Sequence, residues 1–290
     1  MKVTNLQPYI NSLFDIISTE EGINLITSVT DLLNDSAHSS KVIIVNSTDE
    51  EGNTPLHKAC EKGDLELVKL LINSGANPLL QNEDGETVLH IACKEEAENN
   101  YEIIKFIINS LNRNDIKQLI NITTAADETA LYHAIWLKGE ESNKIVKLLL
   151  EEGADPNIGN DFTNPLFGCL VRKPFYRDSE NLENIRLLIE HGANYLRNDK
   201  VVGNAFFRAA AEGYVEAAQI IFEKAKQDHN IGQLVTPAIK SVYPGMSVIE
   251  VATDKGNKEC AEKFVEWYKD KYSEVTKLIG AENEYLYDNY

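Results

Sequence analysis

The sequence predicts an all-α fold built from repeated helix-turn-helix units, and two observations support this prediction. The segment GNTPLHKACEKG at 52–63 recurs as GETVLHIACKEE at 85–96, and the motif threonines Thr54 and Thr87 are 33 residues apart. Within 65–72, apolar side chains return at helical spacing, and a glycine follows shortly after. A fixed period with amphipathic helices is typical of units that bury their apolar faces by stacking on neighbours.

The first copy contains TPLH, a pair of small residues, a glycine, an apolar helix and then GAN, and this pattern resembles one ankyrin repeat throughout. The chain is similar to the ankyrin-repeat family over residues 11–268, strongly in the first two copies and more weakly toward the end. Four degenerate copies follow, with motif positions at Thr129, Asn164, Asn204 and Ser247. The resemblance implies an elongated, curved ankyrin-repeat solenoid of helix-turn-helix units with hairpin-like loops.

The copies divide the chain into three expected parts. Residues 1–48 are expected to form an N-terminal helical cap, a degenerate repeat with helical segments at 11–17 and 23–33. Residues 49–268 are expected to form the ankyrin repeat array of six copies. Residues 269–290 are expected to add a C-terminal capping helix and an acidic, tyrosine-rich tail. A terminal repeat has one face without a neighbour, so departures from the internal pattern are expected there.

The first copy indicates which side chains the stack buries. The expected core positions are Leu56, Ala59 and Cys60 on the first helix, and Leu65, Val68, Leu71 and Ile72 on the second. Helix-ending glycines with a positive φ angle are expected at Gly63, Gly75, Gly139, Gly153, Gly192, Gly213 and Gly256.

Irregular spacing between the later motifs predicts insertions. Residues 112–121 and 226–235 are expected to extend loops between repeats. Residues 172–181, which include Pro174, are expected to form a protruding loop of aromatic and basic character. Such insertions often lie on one face of a repeat protein and contact its partner. Tolerated surface drift explains them equally well.

The composition excludes several function classes. The 290 residues include 28 Lys plus Arg and 46 Asp plus Glu, a net charge of −18, which argues against binding nucleic-acid phosphates or anionic membranes. Four cysteines without a close pair indicate reduced thiols in a reducing compartment. No apolar run approaches the length of a signal peptide or membrane span, so a cytoplasmic location is expected, with delivery into a host cell as an open alternative.

The sequence has no common catalytic signature: no phosphate-binding loop, nucleophile elbow, zinc-binding HExxH or dinucleotide fingerprint. We therefore expect no enzymatic activity, no cofactor and no metal site. His57 and His90 lie in the TPLH-like motifs, where the family resemblance implies hydrogen bonds to neighbouring repeat loops. Cys60 and Cys93 occupy small-residue positions and are expected to be buried thiols, not nucleophiles.

The family resemblance also implies a concave partner-binding groove, formed by the loop tips before each TPLH-like motif and the exposed side of the first helices. Transferred to this sequence, the expected partner-binding residues are Glu50, Glu51, Asn53, Glu61, Glu83, Asp84, Glu86, Glu95, Trp136, Leu137, Arg172 and Tyr243. Residues 49–100 carry twelve acidic and four basic side chains, a net charge of −8. A solubilising face explains these acids as well as a binding surface does.

Three of these positions are apolar or aromatic, namely Trp136, Leu137 and Tyr243, and are expected to be accessible. Trp136 is either an interface anchor or packed against a neighbouring helix or loop.

These observations predict a noncatalytic protein–protein interaction module that binds a partner protein, with a basic surface, through the groove and loop tips. A secreted or intracellular effector-type ankyrin protein is one form of this function. The first alternative is an inhibitor or regulatory subunit that occludes a basic enzyme or toxin surface. The second is an enzyme whose site lies in the degenerate repeats. No nucleic acid, membrane or small-molecule substrate is expected, and the chain is expected to be monomeric.

Overall fold

The computed structural model describes residues 6–35, 38–94, 99–171, 179–199, 202–236 and 245–269. The described residues form α-helices and an isolated antiparallel bridge between Thr123 and Thr129, without a β-strand. The chain divides into two compact units, Met1–Gly159 and Asn160–Tyr290. The boundaries proposed from the sequence, at 48 and 268, stay predictions.

The described residues of the first unit form three N-terminal helices and three helix pairs. The N-terminal helices are α1 (Gln7–Thr19), α2 (Gly22–Asp35) and α3 (His38–Val45). The pairs are α4 (Pro55–Lys62) with α5 (Leu65–Asn73), α6 (Val88–Ala92) with α7 (Asn100–Ser110), and α9 (Ala130–Ala134) with α10 (Gly139–Glu151). Helix α8 (Arg113–Leu119) lies between the second and third pairs.

These helices stack in two layers. The first helices of the pairs contact one another in the order α4, α6, α9, and α1 extends this layer by packing on α4. The second helices do the same in the order α5, α7, α10, with α2 packed on α5. The apolar faces meet between the layers, so each pair completes the core of its neighbours.

Helix α4 shows how the local sequence defines one element. Thr54 caps its N-terminus, Pro55 occupies the first turn, and Gly63 ends it in the left-handed region at φ 68°. The predicted core positions on this helix, Leu56, Ala59 and Cys60, are fully buried.

Helix α5 differs slightly from its prediction. Val68 and Leu71 are fully buried as expected, but Leu67 takes the third fully buried position, while Leu65 and Ile72 are only half-buried. The buried stripe is therefore rotated by part of a turn from the one proposed.

The N-terminal helices are joined to the first pair by a lysine. Leu13 and Ile17 of α1 are buried in the core. The Lys62 ammonium at the end of α4 donates to the carbonyl oxygens of Ile17 at 2.6 Å and Glu20 at 2.9 Å. These carbonyls end α1 and would otherwise lack a helical partner, so Lys62 caps α1 across the boundary between copies.

The prediction that residues 112–121 form an extended loop is wrong. The Asn112 side chain accepts from the amides of Asn114 at 2.9 Å and Asp115 at 3.1 Å, which starts helix α8. Ile116 and Leu119 are buried beneath it. The insertion is therefore a helix with its own apolar face.

The second unit repeats the same arrangement. Among its described residues, the helices are α11 (Pro165–Val171), α12 (Ser179–Glu190), α13 (Ala205–Glu212), α14 (Val215–Gln227), α15 (Ile231–Val235), α16 (Val248–Asp254) and α17 (Lys258–Lys269). One layer is α11, α13 and α16, and the other is α12, α14 and α17. Residues 226–235, expected to be a loop, contain α15. Most of the predicted protruding loop, residues 172–178, lies outside the described residues.

The core of the second unit contains a cluster of aromatic rings. The Phe206 ring centroid lies 4.9 Å from that of Phe264, and the Phe222 ring stacks on Trp267 at 5.4 Å. Contacts of this kind contribute beyond the buried area alone. The cluster links α13, α14 and α17, so the fifth and sixth copies are packed as one body.

The glycines expected to take a positive φ angle all do so. Gly139 differs only in its place, because it begins α10 and does not end a helix.

Asparagine side chains connect neighbouring copies through the backbone. Asn46 donates to the Gly75 carbonyl at 2.8 Å and accepts from the Asn77 amide at 2.7 Å. Asn121 does the same one copy later, with the Gly153 carbonyl at 3.2 Å and the Asp155 amide at 2.8 Å. Each carboxamide therefore bonds to one carbonyl and one amide of the loop that follows the second helix of the next copy.

Candidate functional site

The histidine of the first TPLH motif joins its copy to the next. The Thr54 amide donates to Nδ1 of His57 at 3.1 Å, so Nδ1 carries no proton. The proton on Nε2 then faces the carbonyl oxygen of Glu86, 3.1 Å away in the following loop. The side chain thus orders the end of its own loop and holds the loop of its neighbour.

His90 repeats this arrangement in the second copy. Its Nδ1 accepts from the Thr87 amide at 3.1 Å, and its Nε2 lies 3.2 Å from the Glu128 carbonyl. Burial lowers the pKa of His57, and burial together with the nearby His133 lowers the pKa of His90 to about 4. The predicted structural role of both histidines is confirmed.

The cysteines beside these motifs are buried, as predicted. Cys60 and Cys93 are almost completely removed from solvent, and burial raises the pKa of both thiols. A thiol in this state is a poor nucleophile because its thiolate is unfavourable.

Each loop tip is closed by the same backbone bond. We define tip 1 as residues 49–53, tip 2 as residues 82–86 and tip 3 as residues 124–128. In each, the first amide donates to the last carbonyl, at distances of 3.0, 3.0 and 2.9 Å. The side chain of the first residue also accepts hydrogen bonds from two amides of its own loop. The first residues of the three tips are Asp49, Asn82 and Thr124. Sequence reasoning missed them, although they recur at the same intervals as the motif threonines.

Neighbouring tips are bonded directly. The Glu83 amide donates to the Glu51 carbonyl at 3.1 Å, and the Ala125 amide donates to the Asp84 carbonyl at 2.9 Å. Gly85 permits the second approach, because a Cβ atom there would lie 2.9 Å from the Ala125 nitrogen. The tips are therefore fixed relative to one another and not independent flexible loops.

Four predicted site residues lie together on tips 1 and 2 with exposed side chains. They are Glu50, Glu51, Glu83 and Asp84, which we call the acidic tip surface. Within the described part of the chain, none of the four forms an ion pair. The four residues lie on two adjacent, bonded loops, so a cationic group that contacts them would relieve the repulsion between their carboxylates.

Two other predicted acids already have cationic partners. Glu86 is only 9% exposed and pairs with Lys94 at 3.1 Å. Burial acts to raise the pKa of Glu86, but hydrogen bonds from Lys94 and Asn82 outweigh it and hold the pKa below its usual value. Glu61 pairs with Lys58 at 3.4 Å but stays exposed. The carboxylate of Glu86 is therefore bonded within the cleft, and its role in partner binding stays a prediction.

A cleft of about 270 Å³ opens between tips 1 and 2 and the first helices beneath them. It is lined by Glu51, Asn53, His57, Lys58, Glu61, Asn82, Asp84, Glu86, Ile91 and Lys94. Five predicted site residues thus meet in one place. In the described part of the chain, no group of three His, Cys, Asp or Glu side chains is placed to hold a metal ion.

Two neighbouring residues of the predicted site, Trp136 and Leu137, differ in burial. Leu137 is 5% exposed, so the expectation that it is accessible is wrong. Helix α9 has only five residues, and the following turn directs Leu137 into the core, where its amide donates to Ala134. Trp136 is half-buried, with its ring edge-on to Tyr132 at 6.0 Å. Packing and partial exposure therefore coexist at Trp136.

Comparison with known proteins agrees with this geometry. A family model described as ankyrin repeats, in three copies, matches residues 24–119 and 80–160. The chain is an ankyrin-repeat protein. Its match to the family model covers the tips and helices that form the cleft.

This ankyrin-repeat protein has relatives of several kinds. It is 30% identical to the human transient receptor potential cation channel subfamily A member 1 over 59% of this chain and 15% of the channel. It is 27% identical to the probable 26S proteasome regulatory subunit p28 of Saccharomyces cerevisiae, over 66% of this chain and 79% of that protein. The chain thus spans only a minor part of the channel, whereas it spans most of the proteasome subunit.

Among solved structures, an ankyrin repeat domain from Acinetobacter baumannii superimposes with a TM-score of 0.57. The match covers 77% of this chain and 99% of that domain at 17% identity, and it shows a shared fold. None of the described helices has the length and apolar character needed to cross a bilayer.

One exposed residue of the ankyrin-repeat protein was missed by sequence reasoning. Phe162 lies in the loop before α11 and is 75% exposed. Its amide donates to the Asn160 side chain at 2.8 Å. It takes the place where tips 1 and 2 have Gly52 and Gly85, and alignment of the copies would have revealed the exchange.

Three predicted site residues, Glu95, Arg172 and Tyr243, lie outside the described residues of this ankyrin-repeat protein. Their role in binding stays a prediction.

Proposed function

We propose that this ankyrin-repeat protein is a noncatalytic binding module that engages a basic surface of a partner protein through its acidic tip surface. Ankyrin repeats are generally protein–protein interaction modules, and the proteins that contain them are generally non-catalytic. The observation that carries the proposal is the set of four exposed carboxylates, without an ion pair in the described part of the chain, on two loops bonded to each other.

The charges favour a cationic partner for a physical reason. Exposed carboxylates lose little hydration when they meet an exposed ammonium or guanidinium group, and each such pair contributes about 0.5 kcal/mol. Four pairs would supply about 2 kcal/mol, or about 30-fold in affinity. The same charges accelerate encounter with a basic surface and make binding sensitive to salt.

The remaining groove residues have supporting roles in this proposal. Asn53 and Glu61 line the same cleft as the acidic tip surface. Trp136, in the turn that follows α9, offers a half-exposed ring for apolar contact. Monomeric state and cytoplasmic location stay predictions.

The proposal is tested by affinity capture with the tagged full chain, identification of retained proteins by mass spectrometry, and titration of each purified candidate. The test variant reverses the acidic tip surface to lysine at all four positions. Its control reverses four exposed acids on helices or their ends, namely Glu21, Glu102, Glu140 and Glu151.

We expect the first variant to lose the partner, the control to keep it, and affinity to fall steeply between about 50 and about 300 mM salt. Equal loss in both variants would mean that net charge alone is responsible. Unchanged binding by the first variant would refute the proposal.

A further inference from the structure

We propose that Asn82 is the positioning residue of the acidic tip surface. Its carboxamide holds tips 1 and 2 in one register, so a basic partner recognises a rigid pair of tips and not their charge alone. This inference rests on the proposed function and names a residue outside the contact set expected from the sequence.

The Asn82 side chain uses both of its polar atoms. Oδ1 accepts from the amides of Asp84 at 3.1 Å and Glu86 at 2.9 Å, which shapes tip 2. Nδ2 donates to Oδ1 of Asn53 at 3.0 Å and to a carboxylate oxygen of Glu86 at 3.2 Å. One carboxamide therefore connects its own loop, the preceding loop and a carboxylate of the cleft.

The equivalent residue of tip 1 shows which part of this role needs an amide. Asp49 accepts from the amides of Glu51 at 3.1 Å and Asn53 at 2.7 Å, so a carboxylate suffices to shape a tip. A carboxylate has no N–H group to donate at neutral pH. The two bonds donated by Asn82, to Asn53 and Glu86, are therefore those that an aspartate would lose.

The bonds matter because the acids on the two tips repel one another. The bond from the Glu83 amide to the Glu51 carbonyl gives the two backbones a strand-like separation of about 5 Å. Carboxylates on adjacent loops repel one another, although water weakens the repulsion of each pair. A few such pairs together are comparable in strength to one net hydrogen bond. Loss of the Asn82 donors would therefore leave the backbone bond from Glu83 to Glu51 to oppose this repulsion without their support, and the two tips would be held less rigidly.

The decisive variant is Asn82→Asp, because a role of charge alone and a positioning role of Asn82 predict opposite changes in affinity for a cationic probe. If charge alone sets affinity, the added carboxylate tightens binding of a cationic probe. If Asn82 positions the tips, binding weakens despite the added charge. The matched control is Thr48→Asp, which adds the same charge at an exposed site beside tip 1.

The probe is a fluorescein-labelled octa-arginine peptide, titrated by fluorescence anisotropy at low salt with the full chain. We expect Thr48→Asp to bind at least as tightly as the unmodified protein and Asn82→Asp to bind at least about fivefold more weakly than Thr48→Asp. Equal or tighter binding by Asn82→Asp overturns the inference.

A second variant covers the case in which Asn82→Asp does not fold, as judged by circular dichroism. Asn53→Ala removes the acceptor on tip 1 without a change in charge. We expect weaker binding of the peptide with the salt dependence of the unmodified protein, since the number of charges is the same. Unchanged affinity refutes the positioning role. If the unmodified protein does not bind the peptide at all, the proposed function itself fails.

Discussion

Replacing Gly85 with alanine tests the close approach of tips 2 and 3. A Cβ atom at this position would lie 2.9 Å from the Ala125 nitrogen and 3.2 Å from the Thr124 carbonyl carbon. The φ angle of Gly85 is +76°, which side-chain-bearing residues rarely adopt. The Ala125 amide already donates to the Asp84 carbonyl at 2.9 Å, so tip 3 cannot retreat without weakening that bond.

Three effects are expected to lower the free energy of unfolding of the Gly85→Ala variant. The left-handed conformation costs about 1–2 kcal/mol for an alanine. Crowding against backbone atoms costs about 1–3 kcal/mol, and a weakened hydrogen bond costs up to about 1 kcal/mol. Gly139 offers a control in the same unit, because its φ is +68° and a Cβ atom added there would have no neighbouring atom within 4 Å. Gly139→Ala should show the conformational cost alone.

Urea unfolding followed by far-ultraviolet circular dichroism measures both variants. We expect Gly85→Ala to lose at least about 1 kcal/mol more unfolding free energy than Gly139→Ala. Equal losses would show that the tips relax freely, and the argument that neighbouring tips are rigidly joined would be refuted.

Three further predictions concern the first unit. Lys62→Met should leave the C-terminal carbonyls of α1 without their cap, cost about 1–3 kcal/mol and speed proteolysis of the N-terminal helices; unchanged digestion would contradict this. Because the folded state holds the pKa of His90 near 4, below its unfolded value of about 6.5, the unfolded chain binds the extra proton first. The contribution of His90 to the unfolding free energy should be fully present above about pH 6.5 and fall by about 3 kcal/mol toward pH 4. In urea titrations at a series of pH values, the unfolding free energy of His90→Ala should therefore change less with pH than that of the unmodified protein. Trp136→Ala should cost about 1 kcal/mol through lost contact with Tyr132 and weaken partner binding in a titration; a larger loss of stability with unchanged affinity would make packing its sole role.

The sequence was most informative where one residue's role depends on its own copy. Cys60 could be assigned from the motif because a small buried position is a local feature. The family resemblance implied that His57 bonds to a neighbouring loop, and the structure shows this bond to the Glu86 carbonyl.

It was least informative where a role depends on another copy or on a degenerate helix. The donors of Asn82 act on Asn53, 29 residues earlier, and only the recurrence of polar residues at the head of each tip hinted at this. Leu137 follows a helix of five residues, and the direction of the next turn, not its spacing, decides its burial. Residues 112–121 looked like a loop because a short capped helix has too few turns to show a clear period.

The carboxamide bonds of Asn46 and Asn121 have a consequence for how this chain could have changed during evolution. Each bond requires a particular side chain in one copy and a matching loop in the next. Exchange or duplication of whole copies would separate these pairs and leave the exposed backbone groups of the loops bonded to water alone, at a cost of about 0.5–1.5 kcal/mol for each lost bond. The order of the copies is therefore restricted by side-chain chemistry, and recombination between them should yield less stable proteins than the shared motif alone would suggest.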